Sequence, residues 1–499
     1  MLIQTPFKSL TSTSARQRLT RRRSPVSRLC LEWLEDRRLL STFSVLNLND
    51  SGPGSLREAI VSANAATGAD LIRFAPAARD GTIALAGGQL SITDDLTIDG
   101  PGADRLAVSG NDASRVFRIG GGVEVSINGL TVTHGRAVGQ GGGILNAGTL
   151  TLSHTVLSDN LVVGLPSASV VVDAFGGAIF NTGALTVRDS SFVHNQAIGG
   201  DGASGTTGSS GLGGAIMSNG TPSAPATATV SDSKFLDNVA IGGAAGVGAS
   251  RAGVGGAINN ATGTLTVSRS VFCDNQAVGG LENGVPGGFG AGVGGAISNV
   301  ARFGNAILAV TDSAFLDNRA VGGAAGAGTI GQPGRGGAIA NYVFGGVLPP
   351  VTVSATASID HSMILGNQAI GGAGPTGGTG QGGGIANENG GDLSVSNSLI
   401  ALNRAIGGAG NSGNGGNGLG GGVFNGGPNT VGTPSLTLDR SLVVFNRADG
   451  GAAGAGGIAG LGVGGGLYLA PGGVASAERT LVFANDASTS DDDVFGILV

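Results

Sequence analysis

Residues 176–200 read GGAIFNTGALTVRDSSFVHNQAIGG, and the fold follows from how this stretch alternates and breaks. Leu185 and Val187 fall on one face of an extended segment, with Thr186 and Arg188 on the other. Val187 and Phe192 lie an odd interval apart, so both point inward only if the chain bends between them. Asp189 and Ser190 sit there, with side chains that suit a bend. Asn195 marks a second bend, and Gly199-Gly200 opens a connection to the next entry at Gly213-Gly214-Ala215-Ile216. The stretch predicts three or four short strands joined by bends, the outline of one coil.

With drift, this unit recurs about nine times between Gly141 and Asp486, as G-G-A-I-x-N, a Thr/Leu/Val run, then S-x-F-x-x-N-x-A-x-G-G. Its first half ends at Asn146, Asn181, Asn219, Asn260, Asn299, Asn341, Asn387 and Asn425, with Leu469 in the last copy. Its second half supplies Asn160, Asn195, Asn238, Asn275, Asn318, Asn367, Asn403, Asn446 and Asn485. Phe192, Phe235, Phe272 and Phe315 stand in an aliphatic column running from Leu157 to Val482, beside a Ser/Thr column from Thr155 to Thr480. A fixed period rich in β-branched residues and asparagine signals a solenoid, because each unit buries its apolar face only against its neighbours. No 3.6-residue periodicity survives across a copy, which disfavours stacked helical hairpins. The expected fold is all-β, a right-handed parallel β-helix. At a rise of ~4.8 Å per coil, like residues stack. The phenylalanines then form a core stack and the asparagines a structural ladder, with asparagine assigned to the bend for its tolerance of left-handed backbone.

Composition narrows function more than it names it. Glycine makes up 98 of 499 residues, far above the usual ~7%, and Lys8 and Lys234 are the only lysines. Residues 1–41 hold nine of the 27 Lys/Arg and three of the 33 Asp/Glu, which leaves 18 basic and 30 acidic residues beyond. A mildly acidic, lysine-poor body does not neutralise phosphates, so nucleic acid is not an expected partner. Cys30 and Cys273 cannot staple the body, which must be held by stacking. No apolar run approaches the ~20 residues that span a bilayer. The inserts between copies, such as Asp201–Leu212, Ala244–Val254 and Ala324–Arg335, leave from equivalent bends on one edge. They read as flexible fringe, with extended polyglycine strands packed side by side as the alternative.

Arg16 to Arg28 is basic and leads into R-L-C-L-E-W-L-E-D-R-R-L-L-S-T at residues 28–42. Through Leu31, Glu32, Leu34, Glu35, Arg37, Leu39, Leu40 and Ser41 it resembles the leader of many large bacterial surface and secreted proteins. Gly54-Ser55-Leu56-Arg57-Glu58-Ala59-Ile60 resembles the module that opens many bacterial β-helix surface proteins. In that family it forms a short helix capping the open end of the solenoid. Leu56, Ala59 and Ile60 have the required spacing, and Ser55 can cap the helix. Together with the G-G-x-I-x-N repeats, the resemblance is to pectin-lyase-like right-handed β-helix proteins, including the polymorphic outer-membrane type. The division this implies is a basic leader over 1–41, an N-terminal cap with irregular coils over 42–135, repeat coils over 136–490 and a tail over 491–499. No β-barrel follows the last coil, so self-translocation of the autotransporter kind is not expected. The implied location is extracellular, or the bacterial cell surface.

Many β-helix proteins cleave polysaccharides with two or three clustered carboxylates. The candidates are Asp237, Asp274 and Asp317, on successive coils ~4.8 Å apart. Such a column could share a proton or take calcium. Each Asp directly precedes a ladder Asn, however, where Asp is ordinary turn chemistry. His134, His154, His194 and His361 share no metal-ligand spacing. The expected function is therefore a non-enzymatic scaffold or adhesin-like surface facing polysaccharide or other surface components, with self-association open. A polysaccharide lyase or glycoside hydrolase is the alternative.

Overall fold

The computed structural model describes residues 40–498 apart from 167–170, 204–205, 245–250, 283–288, 327, 345–352 and 428–431. The leader, except Leu40 and Ser41, lies outside the described residues. From Ser41 onward the chain is a right-handed parallel β-helix, the hand that parallel crossovers adopt. A representative coil runs through Gly211–Leu212, Ile216–Asn219, Ala226–Ser231, Lys234–Leu236 and Val239–Ile241. Each of these strands joins a different sheet, and all the sheets are parallel. The coil thus has five strands rather than three or four. The addition is a two-residue strand just before the G-G-x-I entry, too short to leave an alternation in the sequence.

The sheets are numbered from first to fifth by strand count, and along one coil the chain visits the fifth, third, first, second and fourth in turn. The first holds 13 strands (Ser41–Val45 to Val474–Glu478) and the second 12 (Gly81–Ala84 to Leu481–Phe483). The third, through Ile216–Asn219, holds 12, the fourth, through Val239–Ile241, 10, and the fifth, through Gly211–Leu212, eight. The core fills the space inside the first three. There Phe192, Phe235, Phe272 and Phe315 are fully buried and stack nearly parallel, with centroids 4.6, 4.7 and 4.8 Å apart. The coil rise sets this spacing and so forces a face-to-face arrangement.

The one α-helix among the described residues, Leu56–Ala65, buries Leu56, Ala59, Ile60 and Ala63 against the first coil. Ser55 caps it, its Oγ accepting the Glu58 amide at 3.2 Å. This covers one open end of the sheets, which otherwise would expose unpaired backbone.

Both asparagine columns run inside the wall. From Asn160 to Asn485 each Nδ2 donates to the Oδ1 of the next asparagine at 2.9–3.0 Å. A second donor bond from each amide reaches a core carbonyl, as from Asn275 to Phe235 O at 2.9 Å. Asp493 terminates the column, its Oδ1 accepting both the backbone and the side-chain amide of Asn485. In the other column Asn146 donates to Asn181, but Asn181 donates to Ser218 Oγ at 3.2 Å. Asn219 is therefore not a member; it pairs in register with Ala261, and Ser218 with Asn260. The strand keeps register, with Ile216 beside Ile179 and Ile258, so Ser218 fills the asparagine position of this copy and Asn219 falls one residue beyond it.

The glycine inserts are not a flexible fringe where they are described. Gly372 donates to Gln332, Gly378 to Gly372, Gly408 to Gly378, Gly416 to Gly408, Gly451 to Gly416 and Gly460 to Gly451, all at 2.8–2.9 Å. Outgoing and returning segments thus form two columns laced in a zigzag up one edge, a fin made of backbone. A Cβ at Gly408 or Gly416 would overlap the carbonyl of Gly372 or Gly378 in the neighbouring coil. Glycine is required there because the next strand occupies the side-chain position, not because the segment moves.

Candidate functional site

Two bends carry most of the polar chemistry. Between the first and second sheets stand Asp189, Asp232, Arg269, Asp312, His361, Asn397, Arg440 and Arg479, all at φ between 45° and 51°. Between the second and fourth stand Asp159, His194, Asp237, Asp274, Asp317, Gly366, Leu402, Phe445 and Ala484, at φ between 52° and 69°. The left-handed residue is therefore the one before the ladder asparagine, not the asparagine itself. Asn must turn its amide inward to meet its neighbours, so the unfavourable backbone step falls on the preceding residue, whose side chain faces solvent. Among residues with a side chain, Asp and Asn accept that conformation most readily.

The structure strings Asp237, Asp274 and Asp317 in single file and does not converge them. Asp237 Oδ2 lies 3.7 Å from His194 Nε2, and His194 Nδ1 lies 3.8 Å from Asp159 Oδ1. Asp274 Oδ2 accepts the thiol of Cys273 at 2.9 Å. Partial burial, helped by Asp274 and by the more distant Asp317 and Asp237, pushes that thiol up to about 12. Cys273 is thus a poor nucleophile at neutral pH. Among the described residues, no group of three or more His, Cys, Asp or Glu side chains could hold a metal ion.

The first bend is organised by ion pairs between coils. Arg269 binds Asp232 through two bonds of 2.7 and 2.8 Å, and this holds the Asp232 carboxyl below its ordinary range. The pair is well exposed and adds little stability. Asp360 accepts Ser396 Oγ at 2.6 Å, Asn397 Nδ2 at 2.8 Å and His361 Nδ1 at 2.7 Å. The serine and asparagine bonds dominate in drawing its carboxyl down to about 2.

Sequence reasoning missed two features. Outside the third sheet, under the fifth, Glu388 is buried 3.3 Å from Arg335, and burial pushes its carboxyl up despite that cation. The signal was weak, since the fifth-sheet strand carrying Arg335 is only two residues long. The second feature is the change of character along the second sheet. Its earlier outward positions adjoin the acidic bend, whereas the last four coils present Met363, Leu399, Leu442 and Leu481 in one column. Leu365, Ala401, Val444 and Phe483 form the next. Only the first of these columns, Met363, Leu399, Leu442 and Leu481, lines an open depression of about 530 Å³, together with Arg440 and Arg479; in the second, Ala401 and Val444 are buried. The signal was legible: the residue before the ladder asparagine changes from Asp or His to Gly366, Leu402, Phe445 and Ala484. Holding Leu402 and Phe445 in left-handed backbone costs roughly 1–2 kcal/mol each.

No protein-family model matches the chain, and no curated protein matches it. Among solved structures, a mannuronic acid specific polysaccharide family 6 lyase from human gut microbiota aligns over 92% of this chain and 91% of its own, at 9% identity and a TM-score of 0.37. The catalytic domain of a GH87 alpha-1,3-glucanase in complex with nigerose aligns over 83% and 66%, at 11% identity and a TM-score of 0.33. A bacteriophage tailspike protein aligns over 90% and 61%, at 12% identity and a TM-score of 0.30. At such scores these similarities carry no argument about a site or an activity.

Proposed function

We propose that the chain is a non-enzymatic scaffold, extracellular or on a bacterial cell surface, that presents an adhesin-like binding face. One observation carries this reading. The inward columns keep one chemistry from coil to coil, while the outward bend before each ladder asparagine varies freely on a fixed backbone, from Asp to Gly to Phe. A catalytic constellation needs carboxylates that converge on a reacting atom, with partners that set their protonation. Asp237, Asp274 and Asp317 are spread along the rod instead, and each serves its own bend.

A second reading is favoured by the depression beside Arg440 and Arg479, where planar polar groups flank apolar side chains. That pairing suits a sugar chain, so binding or cleavage of polysaccharide is the alternative. No helix among the described residues is long and apolar enough to cross a membrane.

The deciding experiment screens the full chain against acidic and neutral polysaccharides, scoring both retention and release of reducing or unsaturated ends. Retention without release supports the adhesin-like face. Release that is lost in Asp237→Asn or Asp274→Asn overturns the scaffold reading and makes the chain a polysaccharide-active enzyme.

A further inference from the structure

The first-sheet column that runs inward through Leu96, Val125, Leu150 and Leu185 stays apolar at every later coil as far as Ala475. One coil before Leu96, its member is Asp70. Asp70 alternates with the buried Ile72 and Phe74, so its carboxyl group faces the core, and the residue is 1% exposed. Neither carboxyl oxygen has a hydrogen-bond partner. A buried acid is costly unless a cation or a donor meets it.

On the open side of this strand the sheet ends with Ser41–Val45, which sets Ser41 in register with Asp70. The Ser41 hydroxyl faces the same way, yet it leaves both Asp70 oxygens unpaired. Ser41 opens the first strand, and the basic leader joins the body at its nitrogen. Leu40, just before it, is 53% exposed, so the bond between them is open to a peptidase.

We infer that the Leu40–Ser41 bond is a processing site, and that Asp70 is the buried anion that captures the α-ammonium group freed on Ser41. Hydrolysis adds one water across the amide, the hydroxyl going to the Leu40 carbonyl carbon and the hydrogen to the Ser41 nitrogen. The Leu40 acid then releases a proton and the Ser41 amine takes one up. This leaves a carboxylate on the leader and an ammonium on the body. Paired strands lie ~4.8 Å apart, so the ammonium falls within one side chain's length of the Asp70 carboxylate. In the uncut chain the same nitrogen is a neutral amide and brings no charge. The leader-bearing chain therefore keeps an unpaired acid at its first coils, and removal of the leader pairs it. This inference concerns the end of the rod and does not rest on the binding role proposed above.

The test cuts the folded full chain in place. Arg37→Ile, Arg38→Glu, Leu39→Gly and Leu40→Arg install an Ile-Glu-Gly-Arg site at which a sequence-specific peptidase frees Ser41. The same site one residue earlier, through Asp36→Ile, Arg37→Glu, Arg38→Gly and Leu39→Arg, leaves Leu40 first and moves the amine by ~3.3 Å. Lys234 is the sole lysine beyond the leader and is exposed. It is thus an internal standard for acylation by acetic anhydride, read by mass spectrometry. At pH 7.5 the freed Ser41 amine should label at least tenfold more slowly, relative to Lys234, than it does in Asp70→Asn. That factor corresponds to an amine raised by about one pH unit or more above its ordinary ~7.7–8.0. The cut should also raise the urea midpoint at pH 7. A raised amine gives stability that is present below its unfolded value and lost as pH rises through the folded one, so the gain should fade by about pH 10–11. Neither effect should appear in Asp70→Asn or with Leu40 retained. N-terminal sequencing of the protein recovered from its producing cells should begin at Ser41. Equal labelling with and without Asp70, a midpoint that the cut does not raise, or a natural first residue other than Ser41 would each overturn the inference.

Discussion

Replacing Asn275 tests what holds the coils in register. Its Nδ2 donates to Phe235 O and to Asn318 Oδ1, both at 2.9 Å, while its Oδ1 accepts the backbone and side-chain amides of Asn238 at 3.1 and 2.9 Å. In Asn275→Ala the Asn238 N–H and the Phe235 carbonyl lose this partner in a fully buried site. At about 1–3 kcal/mol for each orphaned group, with a small cavity added, the loss should be about 3–6 kcal/mol. Asn275→Asp is more diagnostic. It keeps the acceptor side but turns an oxygen toward two acceptors, Phe235 O and Asn318 Oδ1. Only the protonated acid can donate there, so the folded-state pKa of the introduced carboxyl rises above its unfolded ~3.9. A raised folded pKa gives stability that is present below the unfolded value and lost as pH rises through the folded one. A shift of about three pH units would make the defect relative to wild type about 4 kcal/mol worse at pH 8 than near pH 4. Urea unfolding of both chains at each pH, followed by far-UV circular dichroism, reads this directly. A defect that is the same at both pH values, or an alanine variant costing under about 1 kcal/mol, would refute the buried-donor account.

Three further outcomes are expected. Gly416→Ala should destabilise by about 1–3 kcal/mol or more, because the new methyl meets backbone that cannot turn aside; a thermal shift within error would mean the fin is loose. Phe445→Asn should raise stability by up to about 1 kcal/mol by relieving left-handed strain, measured by urea unfolding. Cys273, with its thiol at about 12, should react slowly with a disulfide reagent at pH 7.5 and keep accelerating beyond pH 9. A plateau near pH 8.5 would contradict the burial and Asp274 contact that hold it protonated.

The coil was legible because its inward positions obey simple alternation: Leu185, Val187 and Phe192 had to share an interior, and only a bent strand allows that. The asparagines were legible as a column but not in their role. Recurrence reveals that a position is constrained, yet not whether backbone or side chain bears the constraint, so the left-handed step was placed one residue late. Asn219 misled for a different reason: this copy reads G-G-A-I-M-S-N, so serine fills the column and the asparagine that draws the eye stands one residue past it. The fin was misread because glycine-rich sequence looks alike whether the missing side chain leaves freedom or makes room for a neighbour. At the candidate site the Asp column stands out because it repeats, whereas the apolar face is written in the coils that depart from the repeat, at Gly366, Leu402, Phe445 and Ala484.

The asparagine ladder also makes the rod electrically polar. From Asn160 onward every side-chain amide in the column points one N–H toward the later coil and its oxygen toward the earlier one, as do the aligned amides from Asn299 to Asn387 in the other column, with Asn260 donating in the same sense. Amide dipoles of ~3.5 D set head to tail add along the axis much as they do in an α-helix. The donor end of the longer column, at Asn485, is met by the carboxylate of Asp493, an anion placed at the positive pole. The opposite end, at Asn160 Oδ1, takes the neutral N–H of Gly135. In an applied field the molecule should therefore align with a preferred sense, independent of its net charge.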